Sequence, residues 1–236
     1  MSKRIAIGVM ALLVGCTEQL SDTYAPEFEG SGRARPALDY AAGPYGFEVG
    51  STIADLGFVG FPNPDIAAED DDVREMRLSD FYNPLGIEVF AENSPYGAQP
   101  KPTALLIDLC TVWCGPCNTQ ASGIFVEKRA LYRPLGGEIF LALSQGDVGD
   151  PATIEDLREW TEQYPIDWPS AIDPTETMFQ YATQAAYPNI TLVRTKDMKI
   201  IAKHVGGLFG TSPEVAAFWD TFEAILADEP VLPEDE

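Results

Sequence analysis

Two closely spaced cysteines follow a stretch of the chain that has the character of a buried strand. Residues 103–110 form a near-continuous apolar run of strand length, as expected for a strand covered on both faces. The run leads into Trp-Cys-Gly-Pro-Cys, in which Gly115 and Pro116 separate Cys114 from Cys117. Glycine and proline let the chain turn tightly, and a proline in the first helical turn has no N–H that needs a partner. The sequence therefore predicts a cysteine pair at the start of a helix, directly after a central strand.

The position of the pair gives its two members different chemistry. Cys114 lies near the predicted helix N-terminus, where free N–H groups and the positive end of the helix dipole favour the reactive thiolate. Cys117 is expected one turn further, facing inward, a position from which a second thiol can attack a mixed disulfide and release the product. A third cysteine, Cys110, is expected to be a small buried hydrophobic residue of the strand.

Strand and helix signals alternate along the rest of the chain, which predicts an α/β fold with a mixed central sheet flanked by helices. Short apolar pieces with glycines at residues 49–61 indicate an N-terminal hairpin extension. The further predicted strands are 138–144, 190–194 and 199–205. The predicted helices are 114–130, 153–164, a shorter one at 175–184 and a last one at 212–227. The acidic run at 70–72 lacks the glycine and distal glutamate of a calcium loop, and we interpret it as solvated.

The cysteine motif resembles that of thioredoxin-like proteins, and more closely their membrane-anchored, exported branch of the TlpA/ResA type. This resemblance implies a thioredoxin-like fold and thiol–disulfide oxidoreductase activity. It implies a redox-active disulfide between Cys114 and Cys117, with no other cofactor and no metal. It also implies that Trp113, Gly115 and Pro116 contact the substrate beside the thiols.

Three further motifs carry the resemblance, which spans about residues 47–227. Asp108 stands where thioredoxins have a buried aspartate, and the resemblance implies that its carboxylate accepts the proton of the resolving cysteine. An apolar setting supports this role, because burial raises a carboxyl pKa toward neutrality. Tyr187 and Pro188 resemble the loop in which a cis proline lies against the disulfide and the preceding residue binds substrate. The segment 205–207 resembles the glycine-bearing end of the last strand.

The chain also departs from the family pattern at three places around the motif. Cys110 stands where many relatives have tryptophan, and Asn118 stands where thioredoxins have a lysine or arginine. Residues 121–123 read Ala-Ser-Gly, where the family helix usually carries a proline. These departures concern the partner surface and the redox potential rather than the cysteine chemistry.

The two ends of the chain have the patterns of a targeting sequence and of a solvated tail. Residues 1–15 have the basic start, the apolar run and the final small residues of a lipoprotein signal peptide, so Cys16 is the predicted lipidation site. Residues 16–46 read as a flexible tether, and 228–236 read as an acidic tail. We therefore expect an exported protein, lipid-anchored in the bacterial cell envelope or periplasm. Thr17 after the anchor slightly favours the outer membrane.

Charge and family resemblance together indicate the partners. The formal net charge of −22 opposes binding to nucleic acid. The Gly-Pro dipeptide resembles that of reducing thioredoxins, so we expect reduction of protein disulfides in the envelope. In an oxidising compartment this needs electrons from a donor such as a transmembrane thiol carrier. Protein thiols and disulfides are then the expected substrates.

Several alternatives stay open at this point. Thr111 lies three residues before Cys114, as in peroxiredoxin-like thiol peroxidases, which share this fold. A lipoprotein that uses the fold only to bind a partner is a second alternative. The spacing C-x3-C-x2-C that begins at Cys110 also occurs in iron–sulfur enzymes, although a cluster fits poorly with export. Zinc needs a fourth ligand, and the single histidine, His204, lies far downstream.

Overall fold

The computed structural model describes residues 40–64 and 72–228. These residues form one seven-stranded sheet with helices packed against it. The strands are β1 (Gly57–Phe61), β2 (Arg74–Arg77), β3 (Ala104–Thr111), β4 (Gly137–Gln145), β5 (Ser170–Ile172), β6 (Asn189–Arg194) and β7 (Lys199–Val205). The α-helices are α1 (Gly115–Thr119), α2 (Phe125–Tyr132), α3 (Ile154–Gln163) and α4 (Pro213–Leu226). A π-helical turn (Gln120–Ile124) joins α1 to α2, and 3₁₀ turns occupy Leu78–Phe81, Arg133–Leu135 and Thr177–Tyr181.

The sheet is mixed, and its strand order is β2-β1-β5-β4-β3-β6-β7. Strands β3, β4 and β5 run parallel, whereas β6 is antiparallel to β3, and β7 is antiparallel to β6. The carboxyl ends of β3, β4, β5 and β7 therefore meet the amino end of β6 at one edge of the sheet. The segments that follow or precede these ends carry the predicted site, so the topology brings together residues that are far apart in sequence.

Both faces of the sheet are buried, which explains the continuous apolar run in β3. Leu106 and Cys110 belong to one apolar cluster, which includes residues of α2, α3 and α4. Leu105, Ile107 and Leu109 belong to a second cluster with the N-terminal segment and two of the 3₁₀ turns. Because side chains alternate along a strand, the intervening Asp108 projects toward the first cluster.

The predicted fold class, a mixed sheet flanked by helices, is confirmed. The predicted strands 103–110, 138–144, 190–194 and 199–205 agree with β3, β4, β6 and β7 to within one residue at each end. The predicted helices 153–164 and 212–227 agree equally well with α3 and α4. Both helices begin at side-chain caps: Thr153 accepts a hydrogen bond from the Asp156 N–H and Ser212 from the Val215 N–H.

The predicted N-terminal hairpin is present as β1 and β2, but it extends beyond the predicted residues 49–61. Strand β1 pairs with β2, which begins at Arg74, and with β5 on its other side. The preceding segment lies along β7 instead, where the Ile53 N–H donates to the Met198 carbonyl. Gly60 permits the pairing with β5, since a Cβ at this position would lie 2.2 Å from the Ser170 carbonyl oxygen.

Two other predicted boundaries differ from the structure. The helix predicted at 175–184 is a short 3₁₀ helix at Thr177–Tyr181, bounded by Glu176 in the left-handed conformation and by Ala182 in the extended conformation. Residues 40–46, predicted as tether, belong to the folded part: the Tyr40 hydroxyl donates to the Ile53 carbonyl at 2.9 Å, and Ala41 is buried. The hydroxyl pKa of Tyr40 is raised well above its ordinary value, mainly by burial.

The predicted signal peptide at 1–15, Cys16, the tether up to residue 39 and the tail from 229 onward lie outside the described residues. Most of the acidic run at 70–72 lies outside them as well. Within 40–64 and 72–228, none of the helices has the length and apolar character needed to cross a membrane.

Candidate active site

The two motif cysteines form a disulfide at the sheet edge described above. Cys114 is the N-cap of α1, and its Sγ accepts a hydrogen bond from the Cys117 N–H at 3.3 Å. The two Cα atoms are 5.2 Å apart, a usual separation for a disulfide. Both cysteines are buried, whereas Gly115 and Pro116 between them are exposed. The N-cap position gives Cys114 the helix-terminal setting that the sequence predicted.

The helix that carries the cysteines changes its winding directly after α1. Residues 121–123, where the usual proline is missing, lie in the π-helical turn. Gln120, the first residue of this turn, is fully buried, and its side chain points into the domain. Its Nε2 donates to Asp108 Oδ1 at 2.9 Å, and its Oε1 accepts from the Leu208 N–H at 3.1 Å. Gln120 therefore connects the strand β3 to the loop after β7.

Asp108 is a buried carboxyl group with two side-chain donors. Gln120 donates to Oδ1, and the Cys110 thiol donates to Oδ2 at 3.0 Å. Burial raises the pKa of Asp108 from 3.8 to about 7, although both hydrogen bonds act in the opposite direction. The pKa of the Cys110 thiol is raised by burial and further by the adjacent Asp108. Cys110 therefore remains a protonated donor, and Asp108 exchanges a proton near neutral pH.

The loop that contains a cis proline lies beside the segment that carries the cysteines. The Tyr187–Pro188 peptide bond is cis, as the resemblance implies. The Gly206 N–H donates to the Pro188 carbonyl at 2.9 Å, which joins this loop to the end of β7. The Trp113 and Tyr187 rings meet edge to face, with their centroids 5.7 Å apart. Trp113 is 43% exposed, so part of its indole faces solvent beside the disulfide.

The structure brings together all the predicted site residues except Cys16, which lies outside the described part. Asp108, Trp113, Cys114 and Cys117 follow one another along β3 and α1, and Pro188 lies at the same sheet edge. Sequence reasoning missed Gln120, because only its contacts with Asp108 and Leu208 distinguish it from other polar helix residues. Two further polar side chains near Trp113 were also missed, Gln145 and Glu176.

The geometry bears on the alternatives left open by the sequence. Cys114 and Cys117 form a disulfide, and the Cys110 thiol donates a hydrogen bond to Asp108. The three sulfurs therefore do not form a set of free ligands for an iron–sulfur cluster. Within residues 40–64 and 72–228, no group of three histidine, cysteine or acidic side chains is placed to hold a metal ion. The Thr111 hydroxyl, on which the peroxidase alternative depends, is buried without a hydrogen-bond partner among the described residues.

Comparison with solved structures gives several similar folds. One is from Chlorobium tepidum, assigned as the thiol:disulfide interchange protein DsbE, with 18% identity, a TM-score of 0.54, and 77% of this chain and 100% of that chain covered. A second is the thioredoxin domain of a thiol-disulfide oxidoreductase from Bacteroides vulgatus. Its identity is 16% and its TM-score 0.50, and the match covers 77% of this chain and 99% of that chain. A third is from Bacteroides thetaiotaomicron, assigned as a protein disulfide isomerase. Its identity is 13% and its TM-score 0.52, and the match covers 80% of this chain and 95% of that chain.

In sequence, no protein-family model and no curated protein matches the chain. At identities below 20%, the structural likeness establishes the fold.

Proposed function

We propose that this chain, which has a thioredoxin-like fold, is a thiol–disulfide oxidoreductase that reduces protein disulfides in the bacterial cell envelope. The observation that carries the proposal is the Cys114–Cys117 disulfide at a helix start, with Trp113 against the residue before a cis proline and a buried carboxyl group on the preceding strand. A disulfide that only stabilised the domain would require neither a proton acceptor with a pKa near neutrality nor a partly exposed aromatic wall.

The reaction uses the two cysteines in sequence. In the reduced protein, the Cys114 thiolate attacks one sulfur of a substrate disulfide, and the other substrate sulfur leaves as a thiolate. Cys117 then attacks the Cys114 sulfur in the mixed disulfide, which releases the second substrate thiolate and closes the Cys114–Cys117 bond. Two electrons pass from the protein dithiol to the substrate, so an external thiol donor must reduce the protein again.

Asp108 supplies the proton acceptor for the second step. Cys117 must lose its proton to attack, and a carboxylate with a pKa of about 7 is a usable base at neutral pH. Gln120 and Cys110 hold the two oxygens of Asp108, which keeps the carboxyl group on the cysteine side of the sheet. Trp113, Gly115, Pro116, Tyr187 and Pro188 line the groove for the substrate chain.

The location and the partners belong to the same proposal. The signal-peptide pattern predicted at 1–15 and the predicted lipidation site Cys16 support export and a lipid anchor, with the outer membrane slightly favoured. A transmembrane thiol carrier is the kind of donor that maintains a reductant in an oxidising compartment. The substrates of the proposed oxidoreductase are protein thiols and disulfides. The net charge of −22 argues against nucleic acid as a partner.

Single cysteine variants test the proposed function. Cys114→Ser should abolish the reduction of a fluorescent peptide disulfide, because the attacking sulfur is lost. Cys117→Ser should accumulate mixed disulfides with the peptide, visible by mass spectrometry, because the resolving sulfur is lost. Ser122→Ala, an exposed position on the same helical run, is the matched control and should keep wild-type activity. Reduction at the wild-type rate by Cys114→Ser, or no adduct with Cys117→Ser, would refute these roles.

A further inference from the structure

One acidic side chain is linked by hydrogen bonds to both aromatic residues that meet beside the disulfide. The Trp113 indole N–H donates to Gln145 Oε1 at 3.1 Å, and Gln145 Nε2 donates to Glu176 Oε1 at 2.5 Å. The Tyr187 hydroxyl donates to the same Glu176 oxygen at 3.0 Å. A single carboxylate oxygen thus connects the residue before Cys114 with the residue before the cis proline.

The direction of each hydrogen bond in this chain is fixed by its ends. An indole nitrogen only donates and a carboxylate only accepts, so Gln145 must present its oxygen to Trp113 and its nitrogen to Glu176. The Gly149 N–H also donates to Gln145 Oε1 at 3.1 Å, which places the loop after β4 against the same amide. These hydrogen bonds link four side chains: Trp113, Gln145, Glu176 and Tyr187.

Glu176 makes these contacts from an unfavourable backbone conformation. Its φ of 53° and ψ of 37° lie in the left-handed region, which non-glycine residues rarely adopt. The turn is held by the Glu176 N–H, which donates to the Asp173 carbonyl at 2.9 Å, and by the Asp173 carboxylate, which accepts from the N–H groups of Thr177 and Met178. Glycine would fit this backbone better, so the presence of glutamate indicates a use for its side chain.

We infer that Glu176 is a positioning residue of the proposed oxidoreductase: it holds Trp113 and Tyr187 in their edge-to-face contact beside the disulfide and so sets the affinity for the substrate chain. The inference rests on the proposed function. Glu176 acts through its neighbours and takes no part in the sulfur chemistry. Its loss should therefore weaken substrate binding while the rate at saturating substrate is retained.

Two variants remove the side chain without straining the turn. Glu176→Gly suits the left-handed backbone, and Glu176→Asn tolerates it while being too short to reach both donors. Both lose the two hydrogen bonds that Glu176 accepts from Gln145 and Tyr187 but relieve the left-handed backbone, so the melting temperature should change little. KM for a peptide disulfide should rise about fivefold with kcat unchanged, because the two aromatic side chains are no longer held in place. Glu176→Gln keeps an acceptor oxygen and should behave nearly as wild type. Thr175→Ala, at an exposed neighbouring position, is the matched control.

A spectroscopic readout separates this inference from the proposed function. The chain has four tryptophans, and Trp113→Phe identifies the indole N–H resonance of Trp113 in a ¹H–¹⁵N spectrum. In the glycine and asparagine variants this resonance should shift and exchange with water faster. An unchanged resonance or an unchanged KM would overturn the inference. If the wild-type protein reduces no disulfide, the proposed function fails, and the resonance alone then decides whether Glu176 holds the indole.

Discussion

Replacement of Asp108 by asparagine should stabilise the protein increasingly as the pH rises. Folding raises the pKa of Asp108 from 3.8 to about 7, because the carboxyl group is fully buried. Between these two values the folded state keeps the proton and the unfolded state has lost it. At this group the unfolded state therefore binds fewer protons, and the contribution of Asp108 to the stability falls as the pH increases. Asparagine has no proton to lose and is free of this effect.

The size of the effect follows from the two pKa values. At about 1.36 kcal/mol per pH unit, the full destabilisation above the folded pKa is about 4 kcal/mol. Part of it is already present at pH 5, so the difference between Asp108→Asn and wild type should grow by about 3 kcal/mol between pH 5 and pH 8. Most of this growth should occur below about pH 7, where the folded carboxyl group begins to ionise.

Urea unfolding of the oxidised proteins at several pH values measures this difference. Subtraction of the two free energies of unfolding cancels the titration of the other groups, and any constant cost of burying the amide appears as an offset that does not depend on pH. A difference that stays constant within about 0.5 kcal/mol from pH 5 to pH 8, against the expected change of about 3 kcal/mol, would refute the argument that Asp108 carries a strongly raised pKa.

Three further substitutions test the surroundings of the site and the fold. Cys110→Ala removes a hydrogen bond that lowers the pKa of Asp108, so the acid limb of the pH–rate profile should move to higher pH; an unmoved limb would contradict this. Gln120→Leu should also move this limb upward and should cost about 1–3 kcal/mol in urea unfolding, because a backbone N–H of the loop after β7 loses its partner. Gly60→Ala should lower stability by about 2 kcal/mol in thermal unfolding, because its Cβ would meet a carbonyl oxygen of β5. Gly123→Ala, where a Cβ meets nothing within 4 Å, is its control, and equal stabilities would contradict the packing argument.

The parts of the fold that the sequence predicted well depend on local pattern. The buried run in β3 and the capped helices α3 and α4 are visible in single stretches of the chain, since periodicity and N-cap residues act over a few positions. The cysteine pair is likewise a local motif. Asp108 could be proposed because its offset from the motif resembles that of thioredoxins.

The parts that the sequence did not predict depend on contacts between distant residues. The pairing of β1 with β5 joins segments that are far apart in the sequence, and the pattern at 49–61 does not indicate it. The helical pattern at 175–184 yields only a short 3₁₀ helix, bounded by non-helical backbone at Glu176 and Ala182. Local propensity competes with such tertiary interactions and often loses.

Gln120 and Glu176 show the same limit within the site. Gln120 occurs as one polar residue among several in its helix, and only the π-helical turn and the loop 88 residues later give its side chain two partners. Glu176 reaches Tyr187, 11 residues further on, and Gln145, 31 residues earlier. A motif search on the sequence alone has no means of finding such a network, because its members share no fixed spacing.

The reduction potential of the Cys114–Cys117 couple tests the central claim most directly. The protein would be equilibrated with dithiothreitol or glutathione buffers of known potential, and its free thiols counted at each step. We expect a two-electron couple near or below about −250 mV, in the range of reducing thioredoxins. A couple between about −120 and −180 mV would contradict the reductase account in favour of an oxidase or isomerase. The absence of any titrating couple would refute the oxidoreductase function itself.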